Sequence, residues 1–163
     1  MRIKKAIIAA AGFGTRLLPA TKVIPKEMLS VIDRPIIQYL VEEAVESGIK
    51  EIAIITRPEV SLIKEHFLAK PVLETHLKKQ GKERPLKGVK RIEKMARFHF
   101  LRQDPNLPYG TGAPLVTARH LIGKRESFVY MFGDDVFLAK VPATKQLLKK
   151  WEKNKEAVIM SVQ

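Results

Sequence analysis

Two glycines separated by one residue, Gly12 and Gly14, are followed by Arg16 and then by Lys26, and these are residue types that can hold a polyphosphate. Glycine removes the side chain from a sharp turn and lets backbone N–H groups approach an anion, while arginine and lysine bring fixed positive charge. Two commoner phosphate loops do not fit. The dinucleotide fingerprint needs a third glycine where this chain has Leu17, and the Walker loop needs a Gly-Lys-Ser/Thr that is absent. A Gly-x-Gly by itself most often marks a plain turn. What raises it above that is the string that continues through Thr15, Arg16, Pro19, Thr21 and Lys22 to Pro25-Lys26-Glu27-Met28.

Two further places carry chemistry. Gly133-Asp134-Asp135 sets two acids side by side, which suits a hard cation, because Mg²⁺ takes oxygen ligands and commonly sits between one or two carboxylates and phosphate oxygens. A turn or helix cap made by Asp134 or Asp135 is the alternative. Gln103 follows Arg102. Its amide both donates and accepts, so it can read a pyrimidine edge without charge. An exposed loop glutamine is the alternative there.

The elements that must position these residues can be read from apolar spacing. Ile3, Ala6, Ile7, Ile8 and Ala9 read as a buried strand, so the glycines fall at its carboxyl end, where open α/β sheets bind ligands. Asp33-Arg34-Pro35 reads as a helix start. Ile36, Ile37, Leu40, Val41, Ala44 and Val45 then form a helical stripe that Ser47-Gly48 stops. Residues 52–56 are apolar and β-branched, a second strand. Leu62, Ile63 and Phe67 suggest a helix on which His66 is a surface residue rather than a ligand. Residues 98–101 and 128–132 read as strands, 111–121 as a loop and helix, and 142–154 as a helix with Leu147, Leu148 and Trp151 on one face, leading into an apolar strand over 157–162. Strands alternating with helices imply an α/β fold with a doubly wound, mostly parallel sheet, and Asp134 and Gln103 again stand at strand ends.

The glycine-rich string, with Pro-Ala-Thr-Lys-x-x-Pro-Lys-Glu-Met-Leu over residues 19–29, resembles the signature of the sugar-1-phosphate nucleotidyltransferases, and within that family the uridylyltransferase branch. The likeness continues over residues 35–55 and returns at Arg102-Gln103, at Gly110 to Gly112 and at Phe132-Gly133-Asp134-Asp135; it is weak between about residues 70 and 97. The resemblance implies a three-layer Rossmann-like, mixed but mostly parallel sheet. It also implies transfer of a uridylyl group from UTP to glucose 1-phosphate, with Mg²⁺ as cofactor. Carried over, Arg16 holds the β and γ phosphates and Lys26 the reacting ones. Ala10, Ala11, Gly12, Gly14 and Thr15 line the nucleotide, Gln103 reads the base with Gly110 packed on it, and Asp134 holds the metal in preference to Asp135. The chain departs from the pattern at Asp104-Pro105-Asn106-Leu107-Pro108-Tyr109, a longer spacer than usual, and at Ala113-Pro114, which stand where the family has His-Ala.

At 163 residues and 45% hydrophobic content the expectation is one domain, residues 1–163, carrying a basic insertion at about 70–97. Cysteine is absent, which excludes disulfides and thiolate metal sites. No apolar run approaches the roughly 20 residues of a membrane helix, and no signal-peptide pattern precedes the first strand, so a cytoplasmic protein is expected. The net charge of +13 can serve nucleic acid, a membrane surface or small anions. Much of it lies in Lys78, Lys79, Lys82, Arg84, Lys87, Lys90, Arg91, Lys94 and Arg97, a segment without an aromatic residue. Single-strand binders stack bases on aromatic rings, so a solvated, mobile surface insertion is the expectation over an RNA-binding arm. Family members run longer and carry their sugar-binding groups later in the chain. The expectation is therefore the N-terminal, nucleotide-binding portion of such an enzyme, or a protein completed by a homo-oligomer or partner chain, with a catalytically incomplete nucleotide-binding module as the alternative.

Overall fold

A computed structural model of the chain describes residues 3–60 and 62–154. In chain order the elements are β1 (Lys5–Ala10), a two-residue ribbon β2 (Ser30–Val31) and β3 (Arg34–Pro35), α1 (Ile36–Glu46), β4 (Glu51–Thr56), α2 (Leu62–Phe67), α3 (Pro71–Lys79), α4 (Glu83–Glu93), β5 (Arg97–Arg102), α5 (Ala113–Ala118), β6 (Val129–Phe132) and α6 (Ala143–Asn154). The strands expected over 52–56, 98–101 and 128–132 and the helices expected after residues 35, 61 and 142 are all present. The strand expected over 157–162 lies outside the described residues.

The main sheet has the order β5-β4-β1-β6, and all four strands are parallel. A strand with neighbours on both sides and helices on both faces must be apolar along its whole length, and β1 meets that demand. Ile8 lies between Ile54 of β4 and Met131 of β6. Because successive side chains point to opposite faces, Ala6, Ile8 and Ala10 enter one core with Ile37, Leu40, Val41 and Ala44 of α1 and with Ile63 and Phe67 of α2. Ile7 enters a second core with Ala53, Ile55 and Ala118 of α5. The result is helix, sheet, helix, the three layers of a doubly wound fold. The only antiparallel pairing among the described residues is the small β2–β3 ribbon.

Helix α1 ends as its sequence indicates. Gly48 takes φ +95, its N–H donates to the Val45 carbonyl at 2.9 Å, and the Ile49 N–H reaches back to Ala44 at 3.1 Å. That is the six-to-one and five-to-two pairing of a glycine-terminated helix. Its start differs from expectation. Arg34 and Pro35 pair with Val31 and Ser30 as the ribbon, so the helix opens at Ile36 with no side-chain cap.

The basic insertion is a helical hairpin. Pro71 opens α3, Gly81 turns the chain at φ +65, and α4 follows. Its half-buried Leu86, Val89 and Ile92 recur every third residue, and Ile92 packs with Met95 and Ala96 against the main core. Lys90 pairs with Glu74 at 3.4 Å and Arg91 with Glu42 of α1 at 3.2 Å. A polar composition masked a narrow apolar stripe. His66 also departs from expectation: it is half-buried, with Nε2 2.9 Å from Gln38 Oε1 of α1.

Candidate nucleotide site

From β1 the chain builds outward to β4 and β5 and then returns to place β6 on the other side of β1. The crevice at the carboxyl ends of β1 and β6 is therefore the point where the winding reverses, and such crevices are where α/β sheets take ligands. The loop after β1 and the Gly133-Asp134-Asp135 turn after β6 meet there.

The loop after β1 is folded on itself. Gly14 has φ +65, and a Cβ at that position would lie 3.2 Å from the Thr21 side chain. The Thr21 hydroxyl donates to the Gly14 carbonyl at 2.7 Å, and Leu17 N–H donates to the same oxygen at 2.9 Å. The N–H groups of Gly12, Phe13, Gly14 and Thr15 have no partner among the described residues. Four neighbouring donors left open among the described residues, with the Lys26 side chain beside them, suit an anion. Ala10 and Ala11 are buried, so only their backbones are available to a ligand.

Lys26 crosses the floor of this loop. Its Nζ lies 2.5 Å from Asp134 Oδ2, with the two side chains 18% and 33% exposed, and a Cβ on Gly12 would touch the Lys26 stem at 3.4 Å. Gly133 makes the meeting possible, because a Cβ there would stand 2.7 Å from the Ala9 carbonyl oxygen and 3.0 Å from Glu27 Cγ. Its N–H donates to that same Ala9 oxygen at 2.8 Å. The structure thus gathers Gly12, Gly14, Lys26 and Asp134 into one cluster. Asp135 is exposed and joins no ion pair among the described residues.

Other expected residues stand apart from that cluster. Arg16 and Thr15 are exposed on a 3-10 turn, and Arg16 bonds to no described residue. Gln103 follows β5, two strands from β1, and its N–H continues the ladder to Thr56 O at 2.8 Å while the amide side chain is half-buried and without a partner among the described residues. Gly110 is exposed in the same loop, which Tyr130 holds by donating its hydroxyl to Thr111 O at 2.6 Å.

Three residues of this edge had no place in the expectations. Glu27 is fully buried with neither carboxylate oxygen hydrogen-bonded among the described residues. Burial pushes its carboxyl above the ordinary carboxylate range, against the pull of the Lys26 charge. Arg57, at the end of β4, donates from Nη1 to the Gly12 carbonyl at 2.9 Å. Gly133 is the third. Its position before an acid at a strand end was the available signal, and for Glu27 its place inside the Pro-Lys-Glu-Met-Leu string, whereas Arg57 does not differ in sequence from an ordinary surface charge.

Asp134 offers one carboxylate whose Oδ1 bonds to no described residue, beside a loop of open amides. No group of three or more potential ligands occurs among the described residues. That donor set suits Mg²⁺, which keeps several waters and completes its shell with phosphate oxygens. No described helix is long and apolar enough to cross a membrane.

Fold and site together define a doubly wound α/β protein with a glycine-rich loop and an acidic turn meeting at the switch point of its sheet. The chain belongs to the nucleotidyl transferase family, whose sequence pattern matches residues 5–163. It is 44% identical over 158 residues to UTP–glucose-1-phosphate uridylyltransferase of Bacillus subtilis, covering 97% of this chain and 53% of that one. It is 45% identical over 159 residues to UTP–glucose-1-phosphate uridylyltransferase 1 of Staphylococcus saprophyticus, covering 98% and 54%. Among solved structures it resembles the UTP-bound UGPase from Acinetobacter baumannii at 33% identity and a TM-score of 0.86, over 94% of this chain and 54% of the other. The chain spans about half the length of the relatives it matches.

Proposed function

We propose that the chain binds UTP and serves uridylyl transfer to glucose 1-phosphate, giving UDP-glucose and pyrophosphate. The observation that carries this reading is the Lys26–Asp134 pair, set at the switch point against four unpaired loop amides. The names of the relatives support the substrates.

The reaction needs no protein nucleophile. An oxygen of the sugar phosphate attacks the α-phosphorus of UTP, the new P–O bond forms, and the bond to the β-phosphate oxygen breaks to release pyrophosphate. Catalysis is then positioning and charge neutralisation. The amides of residues 12–15, with the backbones of Ala10 and Ala11, cradle the nucleotide. Arg16, exposed and without a partner among the described residues, meets the β and γ phosphates in this reading, and Lys26 neutralises the reacting ones. Gln103 and Gly110 take the base from the β5 side. Asp134 would hold Mg²⁺, which would supply charge neutralisation at the phosphate oxygens. Gathering UTP loosens Lys26 from its ion pair with Asp134 and gives both groups new partners.

Pyrophosphate release by the 163-residue chain, given UTP, Mg²⁺ and glucose 1-phosphate, tests this. Removing one such cation costs on the order of 2.7 to 4 kcal/mol of barrier, so Lys26→Ala lowers turnover by roughly a hundredfold or more. Turnover within a few-fold of wild type in that variant would sink the assignment. UTP binding that needs Mg²⁺, without release, would identify a nucleotide-binding module of the same family.

A further inference from the structure

The nucleotide reading uses two loops at opposite ends of one ligand, the phosphate loop after β1 and the base loop after β5. Strand β4 separates them. Something must hold the two in register if a single nucleotide is to span them, and side chains outside the site as described so far reach across that gap.

Phe13 is the residue between Gly12 and Gly14, and Tyr109 is the last residue before Gly110. Their ring centroids lie 6.0 Å apart with planes tilted by 32°. Arg57, rising from the end of β4 between the two loops, sets its guanidinium 4.6 Å from the Phe13 ring centre. That guanidinium is itself fixed, donating to Gly12 O at 2.9 Å and to Glu59 Oε1 at 2.6 Å. A held cation over one aromatic ring and a second ring beside it is an attractive stack. Both rings stay largely in water, Phe13 at 55% and Tyr109 at 75% exposure. Neither is serving the core, and the contact they make joins nothing but the two loops.

We propose that Phe13 and Tyr109, backed by Arg57, form an aromatic clasp that positions the base loop against the phosphate loop and sets how tightly UTP is held. The inference rests on the nucleotide reading above. The three are positioning residues. A loop fixed before the ligand arrives does not have to be ordered on binding, so its order appears as affinity. The longer spacer over residues 104–109 gains a purpose from this, since it carries Tyr109 to Phe13. The Tyr109 hydroxyl bonds to no described residue, so the ring alone carries the contact. An aromatic pair of this kind is worth roughly a two- to tenfold change in affinity.

Calorimetric titration of UTP with Mg²⁺ into the 163-residue chain, as wild type, Phe13→Ala, Tyr109→Ala, the double variant and Tyr109→Phe, decides the matter. Each alanine variant should raise the Kd roughly two- to tenfold. The double variant should be no worse than Phe13→Ala, because that change already removes both the ring pair and the contact of the Phe13 ring with Arg57. Tyr109→Phe should restore wild-type affinity, which a loss of general folding would not do. Phe13→Leu and Tyr109→Leu, which keep bulk and lose the ring, replace any alanine variant that unfolds. Unchanged affinity in the single variants, or effects that multiply in the double, would overturn the clasp while leaving the nucleotide site standing. A wild-type chain that binds no UTP would instead sink the nucleotide reading and the clasp with it.

Discussion

At Gly133 a methyl group would stand 2.7 Å from a backbone oxygen of β1, and backbone cannot step aside as a flexible side chain can. Gly133→Ala should therefore cost about 1 to 3 kcal/mol, read as a lower melting temperature, and should pull Asp134 from Lys26 as the turn shifts. Glu27 presents the opposite case, a group whose present state is costly. Burial raises its carboxyl pKa, so the folded chain holds that proton more tightly than the unfolded one. Between the ordinary carboxylate value and the raised one, stability falls as pH rises. Glu27→Gln removes the penalty. Thermal melting should show the variant gaining on wild type as pH rises above the ordinary carboxylate value, starting from near equality at the acid end. A wild-type advantage that grows with pH would contradict the buried, unpaired carboxyl.

Elements hold one another here through polar contacts as well as through the core. Helix α6 docks on α1 where buried Glu43 Oε1 accepts from the Thr144 N–H at 2.8 Å and from its hydroxyl at 2.7 Å, so a carboxylate of one helix satisfies the open amino end of the other. Helices α1 and α2 meet at Gln38 and His66, 2.9 Å apart. Burial lowers the His66 pKa, so the folded chain favours the neutral ring. As pH falls through the ordinary value near 6.5 the unfolded chain takes up its proton first, and stability is lost on the acid side. His66→Asn should flatten the melting temperature between about pH 7 and pH 5. An unchanged slope would show that other groups carry it. The α3–α4 hairpin shows how composition can mislead. Its cations dominate the residue count, yet α4 carries half-buried Leu86, Val89 and Ile92 at helical spacing, and Ile92 with Met95 and Ala96 just beyond it seats the hairpin's end on the core.

Across the whole molecule, the proposed reading couples ligand to stability, because the glycine loop after β1, the loop after β5 and the acidic turn after β6 all leave one edge of one sheet. A ligand bound only by the folded state raises its stability by about 2.7 kcal/mol at a hundred times its dissociation constant. UTP with Mg²⁺ should raise the melting temperature in proportion, and Lys26→Ala should shrink that rise. Equal rises in wild type and variant would remove Lys26 from the site.

The alternation of apolar strands and amphipathic helices, the glycine turn at Gly12 and Gly14 after the first strand, and the place of Asp134 just past a later strand were legible in the amino-acid order, because each depends on spacing within a few residues. So was the end of α1 at Gly48, where the chain itself supplies the left-handed turn. Tertiary structure alone decided the rest. The side of β1 on which β6 returns brings Asp134 to Lys26 across 108 residues of chain. The same return makes Gly133 indispensable, set against the Ala9 oxygen and the buried Glu27 stem. The end of β4 carries Arg57 beneath Phe13, and the spacer before Gly110 carries Tyr109 to it. Local sequence sets which way a side chain points along its own strand or helix. Which distant side chain it then meets depends on strand order, and that is settled only when the sheet buries both its faces at once.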